Sequence, residues 1–153
     1  DPFVTDEAMH GLSIAPCRNL LEGLPHADYV SLHMPGSGKA PLIGATELAA
    51  MKRSAILVNA ARGGLVDEDA LDFALRNGHL GGAALDVFAE EPPTAAHPLF
   101  SNPRVTLSPH SAGLTAECAA RMAVSSVRNI LDLFAGRLDP ALVVNATAIG
   151  YRR

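Results

Sequence analysis

Four short apolar runs mark the chain: YVSLHM at 29–34, SAILVNAA at 54–61, GGAALDVF at 81–88 and RVTLSPH at 104–110. Three of them are nearly continuous in apolar or small residues. A strand that alternates apolar with polar residues has one wet face, whereas an unbroken apolar strand is covered on both faces, as in a parallel sheet. GLSIAP at 11–16 is a weaker strand candidate. Helical stretches lie between the runs. The best marked is DEDALDFALRNG at 67–78, where Asp67 suits the N-cap, Glu68 and Asp69 the first turn, and Gly78 the position past the end. Leu71, Ala74 and Leu75 form its inner stripe. ATELAAMKR at 45–53 and NLLEGL at 19–24, the latter stopped by Pro25, are shorter. Strand alternating with helix predicts βαβ units with right-handed crossovers, an α/β fold around a parallel sheet.

Three segments break this rhythm. Residues 89–103 contain Pro92, Pro93, Pro98 and Pro103, which disfavour a regular helix and predict an ordered loop across the end of the sheet. From 115 to 133 and beyond, Ala120, Ala123, Val124, Val127, Ile130, Leu131 and Phe134 recur at helical spacing, with Thr115 as cap and Gly136 as stop. That stripe reads as core packing. The tail LDPALVVNATAIGYRR, 138–153, reads as a strand or an extended return segment.

Composition narrows the class. The 153 residues are 48% hydrophobic and 18% charged, which suits one ordinary domain with a real core. No apolar run approaches the roughly 20 residues that span a bilayer. The start, DPFVTDEAMHG, has no apolar signal-peptide region. A net charge of −4 without a basic cluster excludes a nucleic-acid footprint and points to a small-molecule or protein partner. Cys17 and Cys118 form neither a disulfide framework nor a metal-ligand spacing, and read as reduced thiols of a cytoplasmic protein that binds no metal.

Polar residues then recur where the strands end: His33, Asn59 with Arg62, Asp86, and His110. In open parallel sheets the ligand crevice lies outside the carboxyl ends of the strands, so polar residues at four strand ends define a candidate site. Arg62 carries a planar fork matched to a carboxylate or phosphate, and Gly63-Gly64 let the chain turn sharply behind it. His110 follows Pro109 in a loop, and Glu90 or Glu91 can supply a carboxylate to its imidazole. A substrate-binding cation with a His–Glu acid/base pair suits the oxidation of a hydroxy acid or the reduction of a keto acid. Each residue also has a plainer role open to it: Arg62 a surface cation, His110 a satisfied loop histidine, Glu91 a solvated charge, Asp86 a helix cap.

The motifs SLHMP (31–35), ILVNAARGGLVDEDAL (56–71), GGAALDVFAEEPP (81–93) and TLSPHSAGLT (106–115) resemble, in order and spacing, the C-terminal half of the D-isomer-specific 2-hydroxyacid dehydrogenases. That family includes phosphoglycerate dehydrogenases and glyoxylate/hydroxypyruvate reductases. The resemblance implies a Rossmann-type doubly wound parallel sheet, incomplete here because its first strands and Gly-rich loop are absent. It implies hydride transfer with NAD, NADP being the less favoured cofactor, and a small 2-hydroxy or 2-keto acid as substrate. It implies no metal, no nucleic-acid or membrane partner, and a homodimer. Residues 1–137 would be the C-terminal part of the NAD-binding domain, and 138–153 a return segment toward a substrate domain not in this chain.

The resemblance also assigns roles. Arg62 would grip the substrate carboxylate and carbonyl oxygen. His110 would exchange the proton, and Glu91 would hydrogen-bond that histidine, leaving Glu90 a loop charge. Asp86 would hold the nicotinamide carboxamide. Ala60, Ala61 and the Arg62 backbone, with Ser111, Ala112 and Gly113, would line the nicotinamide half, His110 beside them. Met34 and Pro35 would form the adenosine wall. His33 lies near the cofactor in many members, with packing an equal alternative. Asp1 would bind the adenine ribose and repel a 2′-phosphate, favouring NAD.

The turn PGSGKAPLIG departs from the family pattern in being a residue shorter and lacking Thr. No G-x-G-x-x-G occurs in the 153 residues, and GSG at 36–38 leads into KAP. The chain by itself is therefore expected to show apolar strand faces, to bind NAD poorly and to turn over little substrate. Two other readings stand beside the enzyme. One is an NAD-sensing corepressor-like binding protein, as some relatives are. The other is an inactive fragment that only dimerises.

Overall fold

The computed structural model describes residues 3–36 and 40–151. Asp1, assigned to the adenine ribose, and 37–39 of the shortened turn lie outside the described residues. The chain divides into two units, Asp1–Ser111 and Ala112–Arg153.

The first unit is an α/β layer around four strands: β1 (Tyr29–Leu32), β2 (Ile56–Asn59), β3 (Gly82–Leu85) and β4 (Val105–Leu107). They lie in chain order and all pairs are parallel. The helices are α1 (Asp6–Gly11), α2 (Leu20–Gly23), α3 (Ala45–Ala50) and α4 (Glu68–Arg76). The Asp67 carboxylate caps α4 by accepting from the Ala70 N–H at 3.0 Å, and Gly78 turns the chain beyond it with φ +65°. Leu71, Ala74 and Leu75 are buried, as the inner stripe predicts. They pack with Leu57, Ile43, Leu48, Leu65 and Leu80 into one core cluster.

Burial alternates along β2, with Leu57 and Asn59 buried and Ile56 and Val58 only partly so. Their register partners on the second face, Tyr29 and Ser31, are exposed. The unbroken apolar run predicted two covered faces, whereas among the described residues Leu32, Leu57, Asn59, Ala83 and Leu85 are buried together on one face. Tyr29 itself is 72% exposed.

GLSIAP is not a strand. α1 runs to Gly11, Ser13 adopts φ +59°, and the Ser13 and Ile14 amides donate back to the His10 and Met9 carbonyls. These bonds make it a helix-ending turn. The proline-rich connection is a loop, as predicted, with one 3₁₀ turn at Pro98–Ser101.

In the second unit, α5 (Ala116–Phe134) begins at its Thr115 cap, and Gly136 follows it with φ +66°. Its apolar stripe, read from the sequence as core, contains no buried residue. A helical stripe is buried only where a second layer faces it. Among the described residues of this unit the other helical element is a 3₁₀ turn at Pro140–Leu142. The tail is that turn and further turns, with no strand among its described residues. The Ala146, Ile149 and Tyr151 amides bond to carbonyls three to five residues back, which curls the chain instead of extending it.

Candidate active site

The parallel register aligns Leu32, Asn59, Leu85 and Leu107 in one row across the sheet. His33, Arg62, Asp86 and His110 all follow that row, so the topology delivers all four strand ends to one edge. Asn59 is 2% exposed and shapes the turn after β2. Its side-chain oxygen accepts from the Ala61 N–H at 3.1 Å and its amide donates to the Arg62 carbonyl at 2.9 Å. This turn lifts Arg62 to an exposed position, where its guanidinium donates to the Ala61 carbonyl at 2.6 Å. Ala60 is exposed and Ala61 partly buried in the same turn.

The glycines after Arg62 have distinct reasons. A Cβ on Gly63 would overlap the Phe88 carbonyl, so two backbone segments touch there. Gly64 has φ +75°, a left-handed conformation that side chains disfavour. The chain then pairs Val66 with Ile43 before entering α4.

Asp86, 6% exposed, organises the turn that carries the histidine. One carboxylate oxygen accepts from the Ser108 hydroxyl at 2.5 Å and the Ser111 N–H at 2.8 Å, and the Asp86 carbonyl accepts from the His110 N–H at 2.8 Å. These bonds hold His110 at φ +52°, in the left-handed region that a non-glycine residue rarely occupies. Neither this conformation nor the aspartate's grip on the loop is legible in the amino-acid pattern.

The Glu91 carboxylate lies 2.8 Å from Nδ1 of His110, and its other oxygen accepts from the Phe88 N–H at 3.0 Å. The histidine's hydrogen bond and then the Phe88 amide hold the Glu91 carboxyl below the usual carboxylate range, against a small opposing effect of burial. The bond assigns the tautomer with Nδ1–H donated to Glu91, which leaves Nε2 outside this contact. Glu90 is exposed next to it.

Arg62, Glu91 and His110 line one pocket of about 460 Å³, with Pro35, Gly63 and Ala89. Glu91 and His110 also border an apolar pocket of about 630 Å³ walled by Pro92, Pro93, Phe100 and Leu107. Met34 is 39% exposed just after β1 and does not line the first pocket. His33 is exposed and bonds Ser31 at 2.8 Å. Ser111 closes the first unit, and Ala112 and Gly113 are exposed at the start of the second. The sequence reading also missed a group behind the site: Glu68 of α4 bonds the Ala89 N–H and His97. The only trace in the sequence is a histidine placed before Pro98, within a loop read as plain connection.

A parallel α/β sheet with an arginine, a glutamate and a histidine at its carboxyl edge places this chain among the open α/β domains, whose ligands bind in the crevice outside the strand ends. The NAD-binding-domain model of the D-isomer specific 2-hydroxyacid dehydrogenases matches residues 1–112. The chain belongs to that family.

A glyoxylate reductase from Aeropyrum pernix is 44% identical over 130 residues, 84% of this chain and 39% of the relative. A D-3-phosphoglycerate dehydrogenase from Methanocaldococcus jannaschii is 37% identical over 144 residues, 94% of this chain and 27% of the relative. The crystal structure of an NADPH-dependent glyoxylate/hydroxypyruvate reductase from Sinorhizobium meliloti superposes with a TM-score of 0.74 at 33% identity, covering 85% of this chain and 41% of that one. The chain thus spans well under half the length of these relatives. No described helix is long and apolar enough to cross a membrane.

Proposed function

We propose that the whole protein interconverts a D-2-hydroxy acid and its 2-keto acid, with Arg62, Glu91 and His110 as its catalytic set. The reading rests on one observation: a carboxylate-paired imidazole and an exposed guanidinium border the same pocket, 2.8 Å separating Glu91 from His110. Arg62 is suited to a bidentate grip on the substrate carboxylate. In the reductive direction, His110 gives the Nε2 proton to the carbonyl oxygen as the carbon is reduced, and it recovers that proton in oxidation. Glu91 fixes the ring's tautomer and stabilises its cationic form.

A nicotinamide cofactor supplies the hydride. Asp86, Ala60, Ala61, the Arg62 backbone, His110, Ser111, Ala112 and Gly113 are the residues assigned to its nicotinamide half, and Met34 and Pro35 to the adenosine side. Ala60 is exposed in the turn after β2, at the carboxyl edge of the sheet where open α/β folds hold such a group. Asp1 as ribose partner favours NAD over NADP. Residues 1–137 then form part of the NAD-binding domain, and 138–153 lead toward a substrate domain. A homodimer in the cytoplasm completes the reading.

The test is a panel of 2-keto acids assayed on the whole protein with NADH and with NADPH. Oxidation of NADH by at least one short 2-keto acid, and slower oxidation of NADPH, is expected. No oxidation across the panel contradicts the activity, and a preference for NADPH contradicts the role of Asp1.

A further inference from the structure

We propose that Glu68 is a positioning residue: its carboxylate ties the loop that carries Glu91 to the segment that carries Arg62. The functional meaning rests on the reading above, but the contacts do not. Arg62 and Glu68 lie six residues apart on one continuous stretch, the turn after β2 and the first residue of α4. Glu91 lies on a different stretch, after β3. Its alignment against Arg62 therefore depends on what joins the two.

Among the described residues, beyond the strand pairing that ends with the Asp86 N–H on the Asn59 carbonyl, a backbone contact and a side-chain hydrogen bond join them. One is backbone to backbone, where Gly63 admits the Phe88 carbonyl so closely that a Cβ would overlap it. The other is Glu68, whose Oε1 accepts from the Ala89 N–H at 2.7 Å. Phe88 and Ala89 are also where Glu91 is anchored, because Glu91 accepts from the Phe88 N–H. Glu68 is the hydrogen-bond acceptor of the Ala89 amide, in an exposed Ala89–Glu90 segment.

The Glu68 carboxylate is itself fixed. Its side chain is 15% exposed, and Oε2 accepts from Nε2 of His97 at 3.1 Å. His97 Nδ1 faces the Leu99 N–H at 3.4 Å, which assigns the neutral Nε2–H form. The His97 ring packs edge-on to Phe88, 5.2 Å between centroids. Glu68 thus reaches the loop at Ala89 directly and at Phe88 through His97. The segment that presents the substrate-binding cation also sets the acid/base pair.

The test needs neither substrate nor cofactor. In the 153-residue chain, hydrogen exchange of the Ala89 amide is compared with that of Glu90, and the Glu91 carboxyl is titrated by ¹³C NMR. The Ala89 amide is expected to exchange about tenfold more slowly than Glu90, the effect of one hydrogen bond to a charged acceptor. In Glu68→Ala and in the shape-preserving Glu68→Met, Ala89 loses this protection. The Glu91 midpoint then rises toward the ordinary carboxylate range, because its bonds to Phe88 and His110 loosen while the Asp86 charge still disfavours ionisation. Glu68→Gln keeps an oxygen acceptor for Ala89 and restores its protection, while its NH2 faces the Nε2–H of His97 and forgoes that bond. Free-loop exchange of Ala89 in the wild-type chain overturns the proposal, and this readout stands even where the variants fail to fold. So does an unmoved Glu91 midpoint in either folded variant. Absence of dehydrogenase activity in the whole protein would overturn the functional reading and leave these contacts untouched.

Discussion

His110 sits with φ +52°, its N–H on the Asp86 carbonyl and its Nδ1 on Glu91, so backbone and side chain are fixed from opposite ends. Such over-determination is what keeps an uncommon conformation in place, and functional sites are where it gathers. Arg62 contrasts with it: an exposed cation on a well-built turn. Arg62→Lys keeps the charge and loses the fork, so KM for the keto acid should rise about 10–100-fold in steady-state assays of the whole protein, the worth of a charge-assisted pair. Glu91 makes a separate, pH-dependent prediction. Its carboxyl titrates lower folded than unfolded, so its stabilising contribution is complete above the ordinary carboxylate range near pH 4 and is lost as pH falls through the lowered folded value. Asp72 acts in the same direction: partial burial raises it, but hydrogen bonds from Arg76 and Asn102 bring it below the usual range. Urea midpoints measured from pH 6 to pH 3 should fall for the wild-type chain, and fall less for Glu91→Gln. Equal slopes would remove Glu91 from the linkage.

At the level of elements, Gly63 marks a close approach between the Arg62 turn and the chain after β3. Gly63→Ala should destabilise the chain by about 1–3 kcal/mol in urea unfolding, the range for an over-packed site. Removing the α4 cap with Asp67→Ala should cost about 1 kcal/mol, without touching the site. The strands, α4 with its cap and inner stripe, and the strand-end residues were legible because each leaves a local mark: an apolar run, a 3.6-residue period, a polar residue at its end. GLSIAP misled because apolar residues in a helix-ending turn look like a short strand. The α5 stripe had the right period, but periodicity says which face is apolar and not whether anything covers it. The turn bonds of Asn59 and Asp86, and the link from Glu68 to Ala89 and His97, join residues distant in sequence or depend on backbone angles. No spacing rule encodes them.

For the whole molecule, the family is settled by the match over residues 1–112, while the chemistry of the complete protein is a proposal. The 153 residues hold no G-x-G-x-x-G, the loop that seats a dinucleotide's phosphates on a helix N-terminus. Assayed by itself, this chain should therefore bind NADH weakly and show little or no turnover with any 2-keto acid. Ordinary turnover by the isolated chain would show that cofactor binding relies on other residues. The most direct measurement is pre-steady-state NADH oxidation by the whole protein carrying His110→Gln, with NADH binding followed in parallel. With His110 as the acid/base, the chemical step should slow by about 10²–10⁴-fold while NADH still binds; a chemical step at the wild-type rate would contradict it.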